Sequence, residues 1–201
     1  MNSSSRDWYL ASMSPNTKGD KYAWLDPSSL YSNPKTFNAL LDDLIAPFDA
    51  NEIDVVSGLD AMGFVLGAAI ATRLQKGFLP VRKAGKIPVD TTVVTFTNYS
   101  GRTQDMELRK PAFRPQTRVL LVDQWIETGG TMDAAIRLVE GQDGIVAGLV
   151  AVCIEENEKT NALRQKYKCS SAVLPGSALQ QQCNQQTLES FADFRPELVF
   201  P

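Results

Sequence analysis

Residues 119–131 read Val119-Leu120-Leu121-Val122-Asp123-Gln124-Trp125-Ile126-Glu127-Thr128-Gly129-Gly130-Thr131. Four consecutive apolar residues form a strand that carries a carboxylate, Asp123, to its C-terminal end. The small-residue turn Thr128, Gly129, Gly130, Thr131 then opens a helix. Successive backbone N–H groups in such a turn cradle an anion, and the partial positive charge of the helix N-terminus favours it. The hydroxyls of Thr128 and Thr131 add donors. A Gly-Gly helix start by itself is more often structural. Following an apolar strand and an acid, with a threonine on each side, it favours a phosphate site. Asp123 then falls about where the sugar of a phosphorylated ribose would lie.

Outward from this stretch, strands alternate with helices. Phe37, Leu40, Leu41 and Leu44 follow i, i+3, i+4, i+7 and predict an amphipathic helix. Residues 53–57 read as a short strand and 58–63 as a turn. Phe64, Gly67, Ala68 and Ala71 give a second helical stripe, and 78–82 a further strand. The β-branched run 91–97, a polar stretch and a return strand over 106–109 predict a hairpin with a long tip. Met132, Ala135, Ile136 and Val139 mark the helix after the phosphate turn. Residues 145–154 read as a buried strand and 156–166 as a solvent-facing helix. The expected organisation is an irregular cap over 1–34, a core over 35–174 and a Gln-rich tail over 175–201 that completes the cap. The alternation predicts an α/β fold, a parallel sheet with helices on both faces, and a ligand beyond the carboxyl ends of the strands.

Composition narrows the function classes. With 201 residues and a net charge of −3, the chain argues against a broad nucleic-acid surface. No apolar run reaches membrane-spanning length and the first residues are polar, so no membrane partner and a cytoplasmic location are expected. Cys153, Cys169 and Cys183 lack metal-binding spacing and read as free thiols of a reducing compartment. Histidine is absent, so any general acid or base is Asp, Glu, Lys, Tyr or Cys.

Residues 119–131 resemble the phosphoribosyl-diphosphate (PRPP) loop of the type I phosphoribosyltransferases. Two flanking motifs narrow the resemblance to the adenine phosphoribosyltransferase branch. Gly58-Leu59-Asp60-Ala61-Met62-Gly63-Phe64 is similar to that branch's pyrophosphate loop, and Val81-Arg82-Lys83-Ala84-Gly85-Lys86-Ile87-Pro88 to its basic loop. The resemblance extends from about Asp26 to Glu155. It implies a Rossmann-like sheet with a small hood and a flexible lid hairpin. It also implies Mg²⁺-dependent transfer of the 5-phosphoribosyl group from PRPP to a nitrogen base, with release of pyrophosphate, as in purine salvage. The base would be a purine, adenine-like, or a related heterocycle. The transition state of such a reaction resembles an oxocarbenium ion, so charge placement and water exclusion carry the catalysis.

The resemblance also implies residue roles. Asp123 and Gln124 would hold the ribose hydroxyls, with Mg²⁺ reached from Asp123 through those hydroxyls and water. Glu127, Thr128, Gly129, Gly130 and Thr131 would surround the 5-phosphate. Asp60, Ala61, Lys83 and Lys86 would meet the pyrophosphate. Asn98 and Tyr99 would belong to the lid, and Leu25, Trp125 and Ile126 to the base pocket. A homodimer is implied, through the helix around 35–48 and the segment near Met62.

Four positions depart from the family pattern. Gln124 replaces a second acid, Met62 an arginine, Asn98 a lid acid, and Leu25 a base-contacting arginine. Glu127 occupies a position that is apolar in the adenine branch. The hypoxanthine-guanine branch has an acid there, beside the purine imidazole nitrogen. Glu127 is thus a candidate acid/base group alongside Asp123, and reads equally as a solvated loop acid. Lys83 and Lys86 have the alternative of plain surface lysines, Asp60 of a turn residue, Tyr99 of an exposed hairpin residue and Trp125 of a packing residue. Two further functions stay open: a PRPP- or nucleotide-binding regulator with weakened catalysis, and an enzyme that cleaves a nucleotide's N-glycosidic bond.

Overall fold

A computed structural model describes residue 9 and residues 12–15, 25–97 and 101–184. Two short strands, β1 (Ser14–Pro15) and β2 (Leu25–Asp26), pair antiparallel at the N-terminal side. A 3₁₀ turn over Pro27–Tyr31 leads to α1 (Pro34–Ile45). Asn33 caps α1 by accepting from the Lys35 backbone N–H, and Pro34 supplies a first-turn φ at no hydrogen-bond cost. Then follow β3 (Val55–Leu59), α2 (Asp60–Leu74), β4 (Gly77–Lys83), β5 (Thr91–Thr97) and β6 (Thr103–Arg109). The chain continues with β7 (Arg118–Val122), β8 (Trp125–Ile126), α3 (Gly130–Glu140), β9 (Ile145–Ile154), α4 (Glu158–Lys166), β10 (Cys169–Val173) and α5 (Ala178–Asn184).

The main sheet runs β10-β9-β7-β3-β4-β6-β5, with β8 beside β9. From β10 to β4 all pairs are parallel, whereas β4–β6 and β5–β6 are antiparallel. The expected parallel sheet therefore carries an antiparallel hairpin at one edge. Both faces are covered. Along β7, Leu120 and Val122 enter one apolar cluster with Leu40, Leu44, Leu66 and Ile70, while Val119 and Leu121 enter the other with Met132, Leu138 and Val81. This double burial is why β7 reads as an unbroken hydrophobic run rather than an alternating one. Tyr9, Met13 and Leu30 from the N-terminal side and Leu179 from α5 join the first cluster.

Several boundaries shift from expectation for identifiable reasons. The strand expected at 53–57 is displaced to Val55–Leu59, and the six-residue turn after it contracts to Asp60, which has a left-handed φ of 52° and already begins α2. The buried face of α2 is Gly63, Leu66, Gly67, Ile70 and Ala71, whereas Ala68 is exposed. Small residues made that stripe hard to phase. Helix α4 starts at Glu158 because Asn157 and Thr160 form a reciprocal capping box. β10 was not foreseen: its Cys-Ser-Ser-Ala-Val sequence is a weak strand signal, yet pairing with β9 buries it.

Two glycines decide how the β3–α2 turn meets β7. A Cβ on Gly58 would fall on the Gly63 carbonyl oxygen, far inside van der Waals contact. One on Gly63 would lie 2.8 Å from the Val122 carbonyl oxygen and 3.4 Å from Asp123 Cα. Gly77, by contrast, has its nearest neighbour at 3.8 Å. Gly58→Ala should therefore cost about 1–3 kcal/mol through overpacking, while Gly77→Ala leaves the unfolding midpoint nearly unchanged. Chemical denaturation of the two variants checks this, and equal effects would contradict the steric argument.

Candidate active site

A cavity of about 550 Å³ opens at the carboxyl ends of β3, β4 and β7. The β3–α2 turn contributes Leu59, Asp60, Ala61, Met62 and Phe64 to its lining, and the end of β4 with the following loop contributes Arg82, Lys83 and Lys86. Asp123, Gln124, Trp125 and Thr131 complete it. The three sequence motifs thus converge on one sheet edge.

Backbone pairing fixes Asp123. Its N–H donates to the Val150 carbonyl at 2.9 Å, and the Gln124 carbonyl accepts from the Val152 N–H at 2.9 Å. β9 is longer than β7 and continues alongside the loop as the partner of β8. The side chain of Asp123 accepts from the Gln124 N–H at 2.7 Å. Burial pushes its pKa up to about 7; the Gln124 N–H opposes this, and the nearby charge of Asp60 adds to it. A carboxylate this reluctant to ionise, with a second acid facing the same space, is a natural partner for a cation or for sugar hydroxyls.

Gln124 is engaged elsewhere: its amide donates to the Tyr31 hydroxyl at 2.9 Å, and Tyr31 packs on Phe37 at 5.3 Å between ring centroids. Burial raises the Tyr31 pKa; the Gln124 hydrogen bond opposes this, and the nearby charges of Asp26 and Asp123 add to it. The Trp125 indole N–H donates to Glu155 at 2.8 Å, which orients the ring in the cavity wall.

The phosphate turn is shaped by two glycines. Gly129 has φ 77° and caps α3, and the Gly130 N–H donates to the Thr128 hydroxyl at 3.4 Å. Thr131 faces the cavity; Thr128 is exposed. Glu127 is exposed and is not among the lining residues; its carbonyl accepts from the Asn157 side-chain amide at 2.7 Å. Partial burial, then the charge of Glu155, raises its carboxyl pKa. Ile126 is 3% exposed and belongs to the core cluster beneath the cavity. Leu25 lies in β2, paired with Pro15. Asn98 and Tyr99 lie outside the described residues.

Sequence reading missed two groups. Arg82 was noted only as Lys83's neighbour, yet it lines the cavity and donates to the Lys86 carbonyl at 2.8 Å. Glu107 is buried beneath the basic loop and accepts from the Lys86 and Ile87 N–H groups at 2.6 and 2.7 Å. Its signal was a lone acid between Met106 and Leu108 in an otherwise ordinary strand.

The family profile described as phosphoribosyl transferase domain matches residues 28–180. The chain belongs to the phosphoribosyltransferase family. It is 41% identical over 128 residues to the adenine phosphoribosyltransferase of Rhizobium meliloti, an alignment covering 64% of this chain and 69% of that one. It also superposes on the adenine phosphoribosyltransferase of Rhodothermus marinus with a TM-score of 0.76 at 29% identity, covering 85% of this chain and 98% of that chain. The Saccharomyces cerevisiae enzyme, solved with an imino-altritol bisphosphate and adenine, gives a TM-score of 0.70 at 29% identity over 85% of this chain and 99% of that chain. No helix among the described residues is long and apolar enough to cross a membrane.

The raised proton affinity of Asp123 has a defined consequence for stability. Between the ordinary carboxylate value of 3.8 and about 7, the unfolded chain has lost this proton and the folded chain keeps it. This group's contribution to stability therefore falls as pH rises through that window. In ligand-free protein, Asp123→Asn should flatten the decline in unfolding free energy between pH 4 and 7, as measured by urea titration. An unchanged slope would place the pKa of Asp123 near its ordinary value.

Proposed function

We propose that this protein is a Mg²⁺-dependent phosphoribosyltransferase that joins the ribose 5-phosphate of PRPP to a nitrogen base, adenine or a close heterocyclic analogue, and releases pyrophosphate. The single observation that carries this reading is the composition of the cavity. A phosphate turn at Thr131, an acid at Asp123 and a basic group of Arg82, Lys83 and Lys86 share one pocket. Anion-binding elements thus flank a carboxylate suited to a sugar, which is the charge pattern of PRPP. The named relatives, all adenine phosphoribosyltransferases, support an adenine-like acceptor.

The donor set suits Mg²⁺. Asp60 and Asp123 both face the cavity, and the charge of Asp60 adds to the raised proton affinity of Asp123. Mg²⁺ commonly uses one or two carboxylates and takes its other ligands from substrate phosphates and water. Bound there, it would screen the diphosphate charge and favour its departure.

The chain's own residues then divide the work. The N–H groups of the turn Thr128, Gly129, Gly130, Thr131 hold the 5-phosphate at the start of α3, where the helix dipole assists. Asp123 orients the ribose hydroxyls and, once ionised, stabilises positive charge developing on the sugar. Lys83, Lys86 and Arg82 take the pyrophosphate, relieving Met62 of the role an arginine would have there. Trp125 supplies an aromatic wall for the base. Glu127, exposed at the phosphate turn and outside the cavity lining, is the acid/base candidate, its proton affinity raised by partial burial and by Glu155. A homodimer and a cytoplasmic location complete the proposal.

Incubation of the protein with Mg²⁺, PRPP and a mixture of heterocyclic bases, read by mass spectrometry, should yield a new ribonucleotide whose formation Asp123→Ala abolishes. PRPP binding without product would instead favour a regulatory protein, and release of ribose 5-phosphate from a nucleotide would favour a glycosidic-bond hydrolase. With the acceptor known, Glu127→Gln should lower turnover by roughly 10²–10⁴-fold while ribose 5-phosphate binds as before. Near-normal turnover would remove Glu127 from the chemistry.

A further inference from the structure

Glu107 occupies an unusual place for a charged residue. It is 3% exposed, on the face of β6 opposite to that of its neighbours Met106 and Leu108. Among the described residues it forms no ion pair. Its charge is instead met by backbone dipoles and one hydroxyl. One carboxylate oxygen accepts from the Lys86 and Ile87 N–H groups at 2.6 and 2.7 Å, and the other accepts from the Thr91 hydroxyl at 3.3 Å. Burial favours the protonated acid, but these hydrogen bonds, with the Gly85 N–H, outweigh it and hold the carboxyl below its ordinary pKa. The basic loop therefore rests on a buried anion.

The opposite side of the same peptide is also held. Arg82 stands directly across from Glu107 in the β4–β6 register, and its guanidinium donates to the Lys86 carbonyl at 2.8 Å. Lys86 is thus fixed by Glu107 at its N–H and by Arg82 at its C=O. Gly85, at φ 81°, provides the turn that brings the loop back over Glu107. The Ala84 N–H donates to the Asp105 carbonyl at 2.9 Å, tying the loop's first residue to β6 as well. Lys83 and Lys86 are exposed lysines, whose side chains alone would lose much rotational freedom on meeting a ligand. Fixing their backbone in advance lowers that cost.

We propose that Glu107 is a positioning residue for the diphosphate end of the substrate: it clamps the loop from Gly85 to Ile87 so that Lys86, with Lys83, is presented to the cavity. The role rests on the phosphoribosyltransferase reading, since it assumes that this wall meets pyrophosphate. Glu107 itself touches no substrate. Its influence passes through the Lys86 peptide, so it falls on one end of the ligand and spares the ribose-phosphate end, which β7 and α3 hold.

Calorimetry on the full chain with Mg²⁺ tests this, using PRPP, pyrophosphate and ribose 5-phosphate as separate probes, on wild type, Glu107→Leu and Glu107→Gln. Glu107→Leu should weaken PRPP and pyrophosphate by about ten- to a hundredfold, the scale of a misplaced binding group, and leave ribose 5-phosphate unchanged. Glu107→Gln retains an oxygen acceptor and should recover part of the loss. Amide hydrogen exchange at Lys86 and Ile87 should accelerate in Glu107→Leu even without ligand. Wild-type pyrophosphate binding in Glu107→Leu, parallel loss of ribose 5-phosphate, or unchanged exchange at Lys86 would each overturn the clamp. If wild type binds none of the probes while exchange responds as expected, the functional reading fails and the positioning role fails with it, although the loop contact stands.

Discussion

The close approach of the β3–α2 turn to the end of β7 is the constraint on which the site depends. Gly58 lies against Gly63, and Gly63 against Val122 and Asp123, with no room for a Cβ at either position. That contact lets Asp60 share a cavity with Asp123 and lets α2 leave the sheet without obstructing the cavity. A bulkier residue at either point would push the turn outward and separate the two acids. Packing below supports the contact: Leu120 and Val122 of β7 are buried with Leu66 and Ile70 of α2. Each fully buried aliphatic side chain contributes about 1.5–3 kcal/mol, so the apolar clusters hold the sheet edge firmly enough to keep like charges together.

The electrostatics of the pocket follow from that enforced proximity. Two acids face Arg82, Lys83 and Lys86 across the same space. Burial suppresses the ionisation of the acid at the end of β7. On the basic side the structure does the reverse, spending a buried carboxylate, Glu107, on order in the loop. The charge pattern of the site is therefore kept in place by glycine contacts and by the hydrogen bonds of Glu107 to loop peptides, and among the described residues no ion pair joins Asp60 or Asp123 to Arg82, Lys83 or Lys86. Those groups stay available for a ligand.

The departures from the family pattern acquire physical meaning in this setting. Gln124 does not stand as an idle substitute for an acid: its amide reaches the Tyr31 hydroxyl and so joins the loop after β7 to the N-terminal segment. A carboxylate there would crowd Asp123 with a further negative charge. Trp125, anchored by Glu155, gives the cavity an aromatic wall. The Gln124–Tyr31 hydrogen bond thus joins the 3₁₀ turn before α1 to the loop after β7.

Much of this was legible in the chain because the signals were local. The run from Val119 to Val122 is apolar on both faces, which is how a doubly covered parallel strand must read. A strand, an acid and a Thr-Gly-Gly-Thr turn in succession have few other physical uses. The amphipathic pattern of α1 and the β-branched run of β5 likewise carried their own structure. What the sequence could not settle depended on partners distant along the chain. Glu107 is an unremarked acid until the fold brings residues 85–87 over it, 20 or 21 positions away for the hydrogen bonds that count. Gln124 and Tyr31 are 93 positions apart. β10 is a weak strand former that only the edge of β9 makes into one. Hydrophobic periodicity and turn chemistry act over a few residues and are written in order. Hydrogen-bond partners, close glycine contacts and the pKa of a buried acid arise from three-dimensional neighbours, so they belong to the tertiary structure.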